Sequence, residues 1–186
     1  MEPTLIPEPP AAKFLFADTR MAWAWLALRL YVGYEWISAG WGKIMNPSWV
    51  GAHAGTALSG FLAGAVAKSD GANPAVSSWY AWFITHVAIP HVTLFSYTVA
   101  FGEFLVGLGL ILGIFTGIAA FFGAFMNMNY LFAGTLSVNP LLFLIQLFLI
   151  LAWRTAGWIG VDRWLLPHLG VPWAPGAGFH REPSSK

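Results

Sequence analysis

The sequence predicts an all-α membrane protein, a four-transmembrane-helix bundle with interfacial helices in the long outer segment between spans 1 and 2. Composition gives the first reason, because 58% of the 186 residues are hydrophobic and 9% are charged, against about a quarter charged in soluble domains. The second reason is the 11 Trp residues, which suit the aromatic belts of a membrane protein. The third is a series of long apolar runs separated by turn signals.

The first and last apolar runs each predict one span. Residues 21–44 would form a helix about 36 Å long, which is enough to cross a hydrocarbon core of about 30 Å. Near the other end of the chain, Asn139 followed by Pro140 is typical of a helix start. The fourth span is therefore predicted over residues 140–158.

The apolar stretch in the middle of the chain predicts two spans. Residues 92–136 contain Glu103 as their only full charge, and one helix of that length would be about twice as long as a bilayer is thick. We therefore predict a second span over residues 92–113 and a third over residues 117–136, joined by a turn at the glycines that flank Phe115.

The segments outside these spans are predicted to lie at the membrane surface. In the outer segment, residues 45–90, small apolar residues favour one helix over residues 49–67, and Asn73-Pro74 is typical of the start of a second. The C-terminal segment, residues 161–186, is predicted to contain a short interfacial helix that ends near a proline.

The distribution of basic residues predicts the orientation. An even number of spans places both termini on one side, and Lys and Arg accumulate on the cytoplasmic side of membrane proteins. The terminal side carries Lys13, Arg20, Arg154, Arg163, Arg181 and Lys186, against Lys43 and Lys68 on the other. We therefore expect a multi-pass protein of the cytoplasmic membrane, with the tail of residues 1–20 and the C-terminal segment both cytoplasmic.

Three ionisable residues predicted to lie near the bilayer centre are the catalytic candidates: Arg29, Glu35 and Glu103. Such residues cost about 2.5 to 3.5 kcal/mol each on insertion scales and are therefore functional hypotheses by default. One buried cation with two buried acids leaves one acid without a partner, and desolvation favours its neutral form. Such an acid could exchange protons with a quinone. The alternative is that Arg29 and Glu103 form a structural ion pair.

Further polar residues predict a quinone or substrate pocket beside these acids. Trp36 shares a helical stripe with Arg29, and Asn127 shares one with Tyr130 and is favoured over Asn129 to face inward. Gln146 is the polar residue of the fourth span. Hydrogen bonding between helices is the alternative role for the two amides.

Positive charge at the outer face predicts anion contacts at Lys43, His86 and His91, with ordinary interfacial placement as the alternative. No metal site is expected, because no two histidines face each other from adjacent spans, as a haem within the bundle would require. The absence of cysteine excludes iron–sulfur clusters, and the glycines do not match a nucleotide-binding spacing. A net charge of +1, with dispersed basic residues, gives no indication of nucleic-acid binding.

Several separated segments resemble the DoxX family, and within it the DoxD-type subunit of thiosulfate:quinone oxidoreductase. They include RLYVGYEWISAGWGK, which starts at Arg29, GEFLVGLGLILGIFTGIAAFFGAFMNMNYLFAG, which starts at Gly102, and NPLLFLIQLFLILAWRTAGWIG, which starts at Asn139. The resemblance implies a four-helix membrane fold, oxidation of thiosulfate to tetrathionate with electrons passed to membrane quinone, and a second small subunit.

Two functions are therefore weighed. The first is the membrane subunit of a quinone-linked oxidoreductase, with a thiosulfate dehydrogenase that uses quinone as electron acceptor as the specific candidate. The alternative is a non-enzymatic scaffold or accessory subunit of a respiratory or stress-response complex, alone or as a homo-oligomer. A transporter is a third hypothesis, and a chain with four spans would need to oligomerise to form one. The sequence leaves open whether the chain is itself an enzyme.

Overall fold

Helices are the regular secondary structure of the protein in the computed structural model, which describes residues 8–171, and no strand occurs in that range. Residues 172–186, with Arg181 and Lys186 of the predicted tail, lie outside the described residues, as do residues 1–7. The helices are α1 (Pro10–Ala17), α2 (Ala22–Ile44), α3 (Thr56–Ala67), α4 (Ser78–Phe83, continued by a π-helical turn at Ile84–Ala88), α5 (Val92–Leu112), α6 (Thr116–Phe132), α7 (Asn139–Leu151), α8 (Trp153–Ala156) and α9 (Asp162–His168).

Helices α2 and α5 form the closest helix pair and run antiparallel along each other. Small residues permit this approach, because Gly107 of α5 lies directly against the backbone of Ile37 in α2. The predicted stripe of α2 is confirmed, since Arg29 and Trp36 are buried along this face. Burial of this stripe shows which side of α2 faces the rest of the bundle.

Adding one methyl group at Gly107 is expected to destabilise the protein. A Cβ there would lie 2.7 Å from the Cα of Ile37, so Gly107→Ala should cost about 1 to 3 kcal/mol. Gly60 is the matched control, because it is helical with nothing within 4 Å of an added Cβ, and alanine there should stabilise by about 0.5 to 1 kcal/mol. Thermal unfolding in detergent measures both. Equal melting temperatures for the two variants would contradict the close α2–α5 contact.

Helices α6 and α7 complete the bundle. The turn before α6 is where the sequence predicted it, because Gly113 has a φ of +67° and α5 ends at Leu112. Helix α6 packs along α7 and also against α5. Asn139 is the first residue of α7 rather than its cap, and the helix ends at Leu151, before the short helix α8.

Length and composition identify one clear candidate for a membrane span in the described part of the chain, helix α5 at Val92–Leu112. Thr56–Ala67 and Asn139–Leu151 are shorter apolar helices. Helix α2 has 23 residues but carries three charged side chains, whereas α6 has 17 residues. The four-span arrangement therefore stays a prediction.

The outer segment is less helical than the sequence predicted. Helix α3 begins at Thr56 and not near residue 49, because Gly55 has a φ of +95° and lies against the start of α5, at Val92 and Thr93. The second helix begins at Ser78 and not at Asn73-Pro74. The loop before it is tied back to α3 by backbone hydrogen bonds from residues 75 and 76 to the carbonyl of Lys68.

Candidate functional site

The centre of the site is Glu103, whose side chain is 1% exposed in the middle of α5. Both of its carboxylate oxygens have partners. The Nζ of Lys43 donates to Oε2 at 2.5 Å, and the hydroxyl of Tyr130 donates to Oε1 at 2.5 Å. One carboxylate thus joins α2, α5 and α6, with an ammonium group on one side and a phenol on the other.

Close backbone packing brings these groups together. An added Cβ at Gly40 would lie 2.9 Å from the carbonyl carbon of Glu103, so α2 and α5 touch at the level of the carboxylate. Lys43 follows one helical turn later, in the last turn of α2, where a cation is favoured by the helix dipole. The outer segment covers this end, because Trp49 lies 5.1 Å from the Lys43 Nζ and Phe61 packs edge-on against Tyr130 at 5.9 Å.

A pair of buried amides lies one helical turn along α6 from Tyr130. The Nδ2 of Asn127 donates to the Oε1 of Gln146 at 2.6 Å, which links α6 to α7. The inward orientation of Asn127 and its hydrogen bond to another helix are thus both confirmed. Asn129 faces α4 instead, where the hydroxyl of Tyr80 donates to its side-chain oxygen at 3.1 Å, and burial raises the pKa of Tyr80 to about 12.

Two polar atoms of this pair, the Oδ1 of Asn127 and the Nε2 of Gln146, have no hydrogen-bond partner in the described part of the chain, and neither has the buried Nε1 of Trp36 in α2. Gln146 and Val106 both lie against Gly123. Trp36 lies at the same level of the bundle, because the next residue in α2, Ile37, packs on Gly107. Buried polar groups normally have partners, so these two donors and one acceptor are exceptions within the buried core.

Arg29 is not part of this site, so the predicted alternative of an Arg29–Glu103 ion pair is wrong. Antiparallel packing of α2 and α5 places Arg29 beside Gly113, just after the C-terminal end of α5 and ten residues along the chain from Glu103. Its Nη2 donates to the carbonyl of Ile159 at 2.7 Å, whereas its Nε and Nη1 have no partner among the described residues. The cation that pairs with Glu103 is Lys43, which the sequence placed among the outer anion contacts.

Asp162 is the residue that sequence reasoning missed. It is fully buried, and its carboxylate accepts hydrogen bonds from the backbone N–H groups of Phe115, at 2.6 Å, and Thr116, at 2.8 Å. It therefore caps the N-terminus of α6 from outside the helix, and it is the carboxylate whose charge acts on Arg29. Its position beside Gly157 and Gly160 was the available signal, since these glycines allow the chain to fold back there.

The remaining predicted residues lie apart from Glu103. Glu35 is half-buried, so it is not one of the fully buried acids. His86 is exposed and stacks on Trp82 at 5.0 Å. His91 is exposed at the start of α5, about 18 Å along the helix from Glu103. Among residues 8–171, no group of three or more His, Cys, Asp or Glu side chains has the arrangement of a metal site.

Comparison with known proteins assigns the chain to a family. A family model described as DoxX matches residues 24–136, which is more than half of the 186 residues and includes Lys43, Glu103 and Tyr130. No curated protein and no solved structure matches the chain. The chain belongs to the DoxX family of membrane proteins.

Proposed function

We propose that this chain is the membrane subunit of a quinone-linked oxidoreductase, in which Glu103 exchanges protons with a quinone bound beside Asn127 and Gln146. The observation that carries the proposal is the buried carboxylate held between the Lys43 ammonium and the Tyr130 hydroxyl. Burying a carboxylate costs free energy even when it is paired, so its presence suggests a functional role. The Glu103 carboxylate also lies about one helical turn from polar atoms that lack partners.

The same proposal includes four membrane spans, formed by α2, α5, α6, and α7 with α8. Helix α6 supports this arrangement, because large apolar side chains cover its outer surface although the helix has only 17 residues. Those more than half exposed are Ile118, Phe121, Phe122 and Phe125. Contiguous apolar surface of this kind is rare on soluble proteins and suits contact with lipid. The terminal segments would lie in the cytoplasm and the segment 45–90 at the outer surface.

The polar groups fit the requirements of quinone reduction. A quinone takes up two electrons and two protons to become a quinol, and its carbonyl oxygens accept hydrogen bonds. The Nε2 of Gln146 and the Nε1 of Trp36 are donors without partners. Tyr130 bonds to Glu103 and lies one helical turn from Asn127 on α6, so we propose that its hydroxyl passes a proton from the carboxyl group towards the ligand.

The electron donor we propose is thiosulfate, as the resemblance to the DoxD-type subunit implies. Two thiosulfate ions would join through a new sulfur–sulfur bond to form tetrathionate and release two electrons, which reduce quinone together with two protons. The chain has no cysteine, so the electrons would pass directly to the quinone or through a second subunit. Lys43 is already paired with Glu103, so of the three predicted anion contacts we propose the exposed His86 and His91.

The purified protein tests this proposal. In detergent, with any co-purifying partner kept, thiosulfate should reduce a soluble quinone analogue, and tetrathionate should appear in equal molar amount to the quinol. Helicity measured by circular dichroism establishes that the protein is folded. No quinone reduction by folded protein with its partner present would reject the oxidoreductase and favour the scaffold or accessory subunit.

A further inference from the structure

Of the groups bonded to Glu103, Lys43 and Tyr130 are partly exposed, whereas Glu103 itself is buried. Lys43 is the outermost member, with a side chain that is 20% exposed, whereas the side chain of Glu103 is 1% exposed. The amide pair of Asn127 and Gln146 is fully buried. The exposed fraction therefore falls from the end of α2 towards the middle of the bundle.

An apolar layer closes the other end. One helical turn beyond Gln146, about 5.4 Å, helices α2, α5, α6 and α7 each contribute an apolar residue that is 0% exposed. These residues, which we call the apolar layer, are Val32, Leu110, Ala120 and Leu149. The cluster of Arg29 and Asp162 lies beyond this layer, so no hydrogen-bonded path in the described residues connects it to Glu103.

We propose that Lys43 is the group through which Glu103 exchanges protons with water, and that this exchange is confined to the membrane face at which α2 ends. The Lys43 ammonium can give its proton to the carboxylate at 2.5 Å and take another from water, which restores the original charges. Arg29 cannot serve in this way, because a guanidinium keeps its proton. The other titratable groups near the carboxylate are Tyr130 from α6 and, behind it, Tyr80 from α4, whose hydroxyl is bonded to Asn129.

The consequence is that protons would be taken up from one membrane face. If quinone is reduced at this site, both protons come from the face at which α2 ends, and none crosses the apolar layer. A proton-coupled transporter needs proton access to its site from both membrane faces, so this arrangement argues against the transporter hypothesis. The inference rests on the proposed proton exchange at Glu103, but the following test does not depend on turnover and therefore separates the two.

Carbodiimide labelling in vesicles tests this sidedness. Dicyclohexylcarbodiimide crosses membranes and reacts with protonated carboxyl groups, and mass spectrometry quantifies the modified Glu103. The protein is reconstituted into vesicles whose inner and outer pH are set independently, and an impermeant amine reagent on Lys13 and Lys68 reports its orientation. Labelling should follow the pH of the compartment at which α2 ends, by up to about tenfold per pH unit, and ignore the other compartment.

Two variants make the result specific. Glu103→Gln should lose the label, which identifies the modified site. Lys43→Met should remove the dependence of labelling on the pH of either compartment during the same exposure time. Labelling that follows the opposite compartment, or both equally, would overturn the one-sided exchange. A Lys43→Met variant that responds to pH as the wild type does would overturn the role of Lys43.

Discussion

Glu103→Gln is expected to abolish quinone reduction and leave a folded protein. Glutamine has nearly the same shape, so it can keep the contact with Tyr130 and fill the same space in α5, but it cannot take up and release a proton. General acid–base groups contribute about 100- to 10,000-fold to a rate, and a loss of at least about 100-fold is therefore expected. Thiosulfate-dependent quinone reduction in detergent measures it, with circular dichroism as the check on folding.

Glu35→Gln is the matched control for this variant. Glu35 lies on the same bundle and undergoes the same chemical change, but it is half-buried and is not part of the Lys43–Glu103–Tyr130 group. Its activity should equal that of the wild type. Quinone reduction that persists in the folded Glu103→Gln variant would remove Glu103 as the proton-exchange residue and leave the Lys43–Glu103 pair with a structural role.

Glu103→Gln also has a separate effect, because it leaves the Lys43 ammonium without its negatively charged partner. The ammonium is 20% exposed, so it can remain hydrated, but some stability should be lost because a partly buried charge has lost its counter-charge. The double variant Lys43→Met with Glu103→Gln removes both charges. It should melt at or above the temperature of the single Glu103→Gln variant and stay inactive, which separates the loss of charge balance from the loss of proton exchange.

Helical periodicity predicted the buried face of α2 and the inward amide of α6, although Glu35, also expected to be buried, is half-buried. The buried stripe of α2 and the inward position of Asn127 follow from the 3.6-residue repeat alone, and the turn at Gly113 follows from the length of the apolar stretch. The partner of Glu103 could not be predicted in this way. It depends on the register between α2 and α5, which the contact at Gly40 fixes and which periodicity within one helix does not contain.

The contact between Asp162 and the start of α6, near Arg29, could not be predicted from the sequence for a related reason. Asp162 lies in a segment that was predicted as a surface element. The chain instead folds back after α8, and the N–H of Asp162 donates to the carbonyl of Gly113 at 2.8 Å. Long-range folding of this kind leaves little local signal beyond the glycines that permit it.

Asp162→Ala is expected to cause a large loss of stability without a loss of catalytic rate. The variant removes a buried carboxylate that accepts two backbone N–H groups at the start of α6 and that provides negative charge near the buried Arg29. Hydrogen bonds to charged groups contribute about 1.5 to 3 kcal/mol each, and a buried charge without its partner costs about 3 to 5 kcal/mol. A loss of about 3 to 5 kcal/mol is therefore expected.

Asp70→Ala is the control, because Asp70 is an exposed acid in the loop after α3, and its removal should change stability by less than about 0.5 kcal/mol. Denaturant unfolding in detergent compares the two variants. The fraction of Asp162→Ala that remains folded should reduce quinone at the wild-type rate, because the apolar layer separates Asp162 from Glu103. Equal stability of the two variants would show that the cap and its charge contribute little. A reduced rate per folded molecule would show that the two ends of the bundle are coupled, which the fully buried apolar layer between them argues against.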